Sequence, residues 1–367
     1  MTRRSKILGG ILIFLVAVGA ALACVLSHNS SCGPAPTLAG QAPRMKAIVY
    51  RCYGPPEVLK YEDVAKPTPD DNQLLVKVHA ASINPYEWHY MRGTPYIMRL
   101  GVGLGAPTDS SLGVDFSGTV EAVGKSVTQF KVGDEVFGGH GGALAEYVVV
   151  PELGTVALKP PNITFEQAAA VPIAAITALQ GLRDTGQLKA GQKVLINGAS
   201  GGVGTFAVQI AKSYGAEVTG VCSTHNVELV KSLGADHVVD YTREDFTQGN
   251  QRYDMIFDNI GNHPLLDYRR VMQPNGIFVI VGGPKGDWLG PLVIPLRAKV
   301  LAPFVSQKFD FFLANLSHGD LEILRDLMQT GKVTPVVDRT YPLSEVAAAM
   351  QYLEAGHARG KVVITVP

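Results

Sequence analysis

Residues 193–214 read KVLINGASGGVGTFAVQIAKSY, and their types and spacing suit the binding of a diphosphate. A short apolar run enters a glycine cluster, after which apolar residues recur at the spacing of one helix face. Within it, Ala199-Ser200-Gly201-Gly202-Val203-Gly204 is an A-x-G-x-x-G form of the dinucleotide fingerprint. Gly201 permits close approach of the pyrophosphate, and Gly204 permits close packing of helix on strand. No lysine follows Gly204, so this is not an NTPase phosphate loop. The alternative is a glycine-rich turn that holds nothing. The next apolar run, 218–221, ends about twenty residues on, where an NAD-specific site places an acid on the ribose 2′-hydroxyl. Here stand Cys222, Ser223, Thr224 and His225. With no carboxylate to repel it, a 2′-phosphate is accepted by two hydroxyls, with His225 as an added donor. NADPH is therefore expected over NADH.

These residues must be positioned by a strand, a tight turn and a helix, repeated. Buried strands are expected at 194–196, 218–221, 254–258 and 277–281, alternating with helices from about 169 to 316, which is a doubly wound parallel sheet. Ligands bind beyond the carboxyl ends of such strands, so Asn259, Val281 and Gly282 are expected to line the nicotinamide. A plain pair of strand-to-loop turns is the alternative. Before this region, residues 45–168 change to short β-type segments punctuated by Pro and Gly, the pattern of a compact β-rich domain. Thr164-Phe165-Glu166-Gln167 forms a capping box that opens a long apolar helix. Residues 317–367 hold two helices and a strand at 361–366, expected to return and complete the first domain.

The chain has 367 residues, enough for two domains. Lys+Arg and Asp+Glu are both 32, and no basic run points to nucleic acid. Cys24, Cys32, Cys52 and Cys222 are scattered with no C-x-x-C pair, which argues against a disulfide framework and a structural zinc site. Residues 7–26 are uncharged and long enough to cross a bilayer. They are either a retained anchor or a cleaved signal peptide, expected over 1–26, with 27–44 as a linker. Arg3, Arg4 and Lys6 before the run put the amino terminus on the cytoplasmic side and the folded body outside. That conflicts with a need for NADPH, and a membrane-associated body facing the cytoplasm is the alternative.

The order MKAIVY, ASINPYE, LGVDFSGTVEAVG, GDEVFG, AEYVVV, NGASGGVGT, LGADHVVDY and HARGKVVI resembles the zinc-independent quinone oxidoreductase branch of the medium-chain dehydrogenase/reductase superfamily. The likeness is greatest to its zeta-crystallin-like and reticulon-interacting members, and it covers nearly everything after Met45. It implies a GroES-like catalytic domain split by an inserted Rossmann domain, usually a homodimer, that moves hydride from NADPH to quinones or activated alkenes. By the same resemblance Asn84 lies near the nicotinamide, Thr177 on the cofactor face, and Ser223, Tyr241 and Arg359 around the 2′-phosphate. Glu87 stands where many members have Asp. Tyr96 falls close to a tyrosine that related enoyl reductases use as proton donor, which makes Tyr96 and Asn84 the candidate catalytic residues.

Zinc-dependent relatives place a cysteine and a Gly-His-Glu where this chain has Ala80-Ala81-Ser82-Ile83-Asn84 and Gly113-Val114-Asp115-Phe116-Ser117-Gly118, so no metal ligand is expected. Without a Lewis acid, the acceptor must be electrophilic in itself: a quinone, an enone or an enal. The aromatic segment from Tyr86 to Tyr90, with Tyr96, is either a stacking wall for a flat acceptor or core packing. Two other readings stand: a zinc-independent alcohol or carbonyl oxidoreductase, and a non-catalytic NADPH-binding sensor.

Overall fold

The structure, a computed structural model, describes residues 3–35, 43–284, 286–288 and 290–367, with side chains omitted for 3–12 and 291. Its strands are β1 (Arg44–Val49), β2 (Lys60–Ala65), β3 (Gln73–Ile83), β4 (Asp115–Val123), β5 (Glu135–Gly139), β6 (Tyr147–Pro151) and β7 (Val156–Leu158). After them come β8 (Lys193–Asn197), β9 (Glu217–Cys222), β10 (His237–Asp240), β11 (Tyr253–Asp258), β12 (Met272–Ile280) and β13 (Lys308–Phe311). The last two are β14 (Val337–Pro342) and β15 (Lys361–Thr365).

Strands β8 to β13 form one six-stranded sheet in the order β10-β9-β8-β11-β12-β13, parallel at every pairing. Such a sheet is covered on both faces, and successive residues of its strands divide between two cores. Val194 and Ile196 of β8 pack in the larger one with Phe257, whereas Leu195 packs on the other face with Ile256 and Phe278. The reversal of strand order beside β8 leaves a crevice at the carboxyl ends of β8 and β11.

The second sheet runs β14-β15-β3-β4-β5-β7, with β6 also paired to β3. Antiparallel pairing of β15 with β3, Val362 opposite Ile83, returns the end of the chain to its beginning. The long apolar helix expected after Thr164 is two helices. The capping box is present, with Thr164 accepting from the Gln167 N–H and Gln167 accepting from that of Thr164. But the helix it opens stops at Ala169, and a second runs Pro172–Gln180. Pro172 has no N–H to continue the ladder and so starts a new helix instead.

A helix also runs Arg3–Ser27. Among the described residues no helix is long and apolar enough to cross a membrane, so the span expected over 7–26 is not supported. Met1 and Thr2, and the side chains of 7–12, lie outside the described residues. The segment expected to be a plain linker is instead tied down. Cys32 and Cys52 form a disulfide, with Cα atoms 4.7 Å apart across a separation of 20 residues. Distance along the chain concealed the pairing, since no sequence pattern marks two cysteines brought together by tertiary packing.

Candidate active site

Strand β8 delivers the chain to Gly198, whose φ of +79° favours glycine. Gly201 caps the following helix, Gly202–Ser213, and no side chain makes a capping hydrogen bond there. The N–H groups of that turn are therefore free to meet an anion, with the helix dipole behind them. A Cβ on Gly204 would overlap the Gly198 carbonyl oxygen and come within 2.9 Å of the Ala199 backbone, so helix and turn are in contact there. Around Gly201 the nearest atom to such a Cβ is the Gly198 oxygen at 3.5 Å. The approach to the turn is open on that side.

Ser223 follows β9, and a single helical turn carries Thr224, His225 and Asn226. Asn226, which the sequence did not single out, donates to Ser200 Oγ at 3.1 Å and to Ser223 Oγ at 3.2 Å. Its Oδ1 is buried without a partner. One amide thus ties the diphosphate turn to the ribose corner and keeps an acceptor in reserve. The expectation of a corner without a carboxylate is corrected. Thr224 donates its hydroxyl to Asp240 Oδ2 at 2.6 Å, and this bond, the largest influence on it, helps hold the Asp240 carboxyl below its usual range. Parallel register sets Asp240 beside Cys222. This carboxylate comes from β10 and is engaged by Thr224, Thr242 and Arg243, so it was invisible to a count along one strand. Ser223 keeps its hydroxyl oxygen at the corner, with His225 and Tyr241 exposed beside it. Arg359 is exposed and adjoins Gly360, whose N–H donates to the Ser200 carbonyl at 2.9 Å.

At the carboxyl ends of β11 and β12, Asn259, Val281 and Gly282 come together. The Asn259 amide donates to the Asn197 carbonyl at 2.9 Å, while its Oδ1 is buried and unpartnered. Val281 and Gly282 both donate their N–H to the Asp258 carbonyl at 3.0 Å, and a Cβ on Gly282 would overlap the Asn259 carbonyl. Buried Asp258 accepts from Asn197 Nδ2 at 2.8 Å and from the N–H groups of Ile260 and Gly261 at 3.1 Å. Burial raises its pKa against those bonds. An open glycine turn and two orphaned amide oxygens fit a dinucleotide laid from Ser223 towards Asn259.

Asn84 lies at the junction of the two sheets, 4% exposed, and its side chain is already engaged. It accepts from the Lys361 ammonium and donates to Asp115 Oδ2 at 3.0 Å. Ser82 Oγ donates to the same carboxylate oxygen at 3.0 Å, and Asp115 Oδ1 accepts the Ile173 N–H at 3.0 Å. Lys361 also donates to the Ile83 carbonyl at 3.1 Å. Burial lowers its pKa, and the Asp115 carboxylate opposes that shift. The amide of Asn84 is thus held by charged neighbours, and the bonds it makes are positioning bonds. The sequence missed Lys361, Asp115 and Ser82; a lone lysine heading the apolar strand KVVIT was the available signal. Glu87 accepts the Asn84 N–H at 2.7 Å, and its other oxygen is buried without a partner. Thr177 returns its hydroxyl to the Ile173 carbonyl at 2.7 Å on the helix Pro172–Gln180.

Tyr96 sits beyond the far end of the helix Pro85–Arg92, whose eight residues span roughly 12 Å, so it is not beside Asn84. Its N–H donates to the Asp287 carbonyl at 2.6 Å, and its ring meets Trp288 edge-on with centroids 4.9 Å apart. Both partners lie in the loop after β12, so Tyr96 is held against that loop. The rings of Tyr86 and Tyr90 meet at a tilt of 32° with centroids 4.2 Å apart, and Trp88 and Tyr90 pack against the core of the second sheet. His79 contacts Thr119 at 3.0 Å, and His89 contacts the Thr94 carbonyl at 2.6 Å. Among the described residues no group of three or more His, Cys, Asp or Glu is placed to hold a metal ion.

A parallel sheet with an open diphosphate turn, closed on one side by a β-rich sheet, defines a two-part dinucleotide-binding protein. Residues 70–161 match the alcohol dehydrogenase GroES-like domain and residues 233–364 the zinc-binding dehydrogenase family. A chloroplastic NADPH-dependent alkenal/one oxidoreductase of Arabidopsis thaliana is 38% identical, covering 87% of this chain and 79% of that protein. A 2-methylene-furan-3-one reductase of Solanum lycopersicum is 36% identical, covering 87% and 79%. The solved quinone oxidoreductase of Coxiella burnetii superposes with a TM-score of 0.77 at 31% identity, covering 89% of this chain and all of that one. The chain belongs to the zinc-independent quinone oxidoreductase branch of the medium-chain dehydrogenase/reductase superfamily.

Proposed function

We propose that the chain is an NADPH-dependent oxidoreductase that reduces quinones or α,β-unsaturated carbonyls. The observation that carries this reading is the bridge between Gly201 and Gly360. It joins the diphosphate turn to the strand whose next residue, Lys361, reaches Asn84. Similarity to reductases of alkenals, a methylene-furanone and quinones gives the class of acceptor.

In this mechanism NADPH, when bound, supplies the hydride. The helix N–H groups hold the diphosphate, and Asn226 sets Ser200 and Ser223 together for the adenosine end. Arg359 supplies a cation there, while Asp240 is paired with Arg243 at 3.4 Å. The Lys361–Asp115 pair fixes Asn84 and with it the start of the helix Pro85–Arg92. Tyr96 is the proposed proton donor to an alkene acceptor, supported by its contact with the loop after β12, and a quinone takes the hydride without needing polarisation by a metal. Orientation and exclusion of water are the contributions of the protein.

In the same reading residues 45–168 and 317–367 form one catalytic domain and 169–316 the inserted nucleotide domain, supported by the pairing of β15 with β3. A homodimer is supported by the outer position of β13 and by Phe304 and Leu313, each 80% exposed near it; sedimentation of the full chain tests it. A membrane-anchored or exported location has only the uncharged run 7–26 in its support, and detergent-phase partitioning of the full chain decides it.

The test of function is NADPH oxidation by the full chain against a panel of quinones and enones, beside a matched NADH series. Turnover that prefers NADPH and survives a chelator is expected. Tight NADPH binding with no turnover on any acceptor would replace this reading with a sensor.

A further inference from the structure

Arg99 is 1% exposed, and among the described residues no carboxylate pairs with it. A buried cation without a counter-ion is costly unless every donor is met. Here all three nitrogens donate to backbone carbonyls, in four hydrogen bonds. Nε donates to the Gly93 carbonyl at 2.8 Å, and Nη2 to that of Arg92 at 3.2 Å. These are carbonyls at the carboxyl end of the helix Pro85–Arg92, where a cation complements the dipole. Nη1 donates to the carbonyls of Leu26 and His28, both at 2.9 Å. The guanidinium carbon also lies 4.4 Å from the ring centre of Tyr53 and 4.6 Å from that of Tyr96.

One side chain therefore joins three parts of the molecule: the end of a helix, the tyrosine that faces Trp288, and a segment preceding β1. That segment is seated independently of Arg99. Leu26 is buried, the Ser30 N–H donates to the Gly105 carbonyl at 2.8 Å, and Cys32 is bonded to Cys52. Space at the centre is tight. Gly93 has φ +61°, and a Cβ there would meet Tyr53 Cδ1 at 2.7 Å and Arg99 Nε at 2.8 Å.

We propose that Arg99 is a positioning residue for the acceptor side of the cleft, holding Tyr96 against a wall formed by residues 26–32 and clamped by the Cys32–Cys52 disulfide. The inference rests on the reductase reading for its kinetic consequence, and on contacts alone for its structural one. A planar guanidinium serves four carbonyls and two rings at once, and an ammonium cannot. Arg99 acts on Tyr96 and not on the diphosphate turn, so its loss separates the two ligands.

The experiment uses the full chain with Arg99→Met, Arg99→Lys and Cys32→Ser. Loss of the ring contact is expected to raise acceptor KM about tenfold in Arg99→Met while NADPH Kd stays within about twofold. Arg99→Lys is expected to recover little of that, and Cys32→Ser to move acceptor KM the same way by a smaller factor. Deuterium uptake over residues 94–105 is expected to rise in all three. An unchanged acceptor KM in a folded Arg99→Met protein overturns the proposal, as does a Kd for NADPH that rises in step with it. Should Arg99→Met fail to fold, the Cys32→Ser protein decides by the same readouts. If the wild type reduces no acceptor, the reductase reading fails by itself. Uptake over 94–105 then settles the positioning, and no change there sinks it.

Discussion

Glu87 carries the clearest consequence of burial at the residue scale. Burial, and then the Asp115 carboxylate, push its carboxyl from 4.5 up to about 7, against the opposing Lys361 ammonium. A carboxyl raised in the folded state is more readily protonated there than in the unfolded chain. Its favourable contribution is complete below about 4.5 and is lost as pH rises through about 7. Stability of the wild type is therefore expected to decline across that window, and Glu87→Gln to flatten the decline. Denaturant midpoints of both proteins over the same pH series check it; parallel curves would reject the assignment. Asn84 was legible as a site residue only through resemblance. What holds it was not legible, because Ser82, Asp115 and Lys361 lie on three different strands, or next to them, and meet only after β15 pairs with β3.

At the scale of elements, the glycine turn separates two kinds of glycine. Gly204→Ala forces a methyl into the Gly198 carbonyl. Overpacking of this kind is expected to destabilise by about 1–3 kcal/mol and to weaken NADPH binding through the displaced helix. Gly201→Ala has φ −83° and no atom closer than 3.5 Å, so the fold is expected to remain. The new methyl stands where the pyrophosphate approaches, and NADPH Kd is expected to rise about tenfold or more. Thermal melts beside NADPH titrations distinguish the two variants. A Gly201→Ala protein that binds NADPH normally would remove the diphosphate from this turn. Strand, turn and helix were all legible here, since each is set by neighbours in sequence. The break at Pro172 was not read from the sequence, where apolar composition suggested one long helix; the missing N–H is the signal that marks it.

For the whole molecule, the disulfide fastens the segment before β1 onto the body. Closing a loop with a separation of 20 residues is worth about 3 kcal/mol through the entropy of the unfolded chain. The oxidised protein is expected to exceed Cys52→Ser in unfolding free energy by about that amount, measured in denaturant with redox state controlled. Equal midpoints would mean that this segment adds nothing to global stability.

Sequence by itself determined the parts whose physics is local. Apolar runs of β8, β9, β11 and β12, glycine at the turn, and alternation with helices specify a parallel nucleotide-binding sheet, because period and turn chemistry are properties of neighbouring residues. Several ordered motifs add the family. Tertiary structure alone decided which distant groups share a dielectric and a hydrogen bond. Asp240 reaches Thr224 across a strand pairing, Lys361 reaches Asn84 from near the other end of the chain, and Cys32 finds Cys52. Arg99 is satisfied by carbonyls that no side-chain pattern encodes. Such contacts depend on strand pairings and packing between segments distant in sequence, and these bring the buried charges and the clamped wall into being.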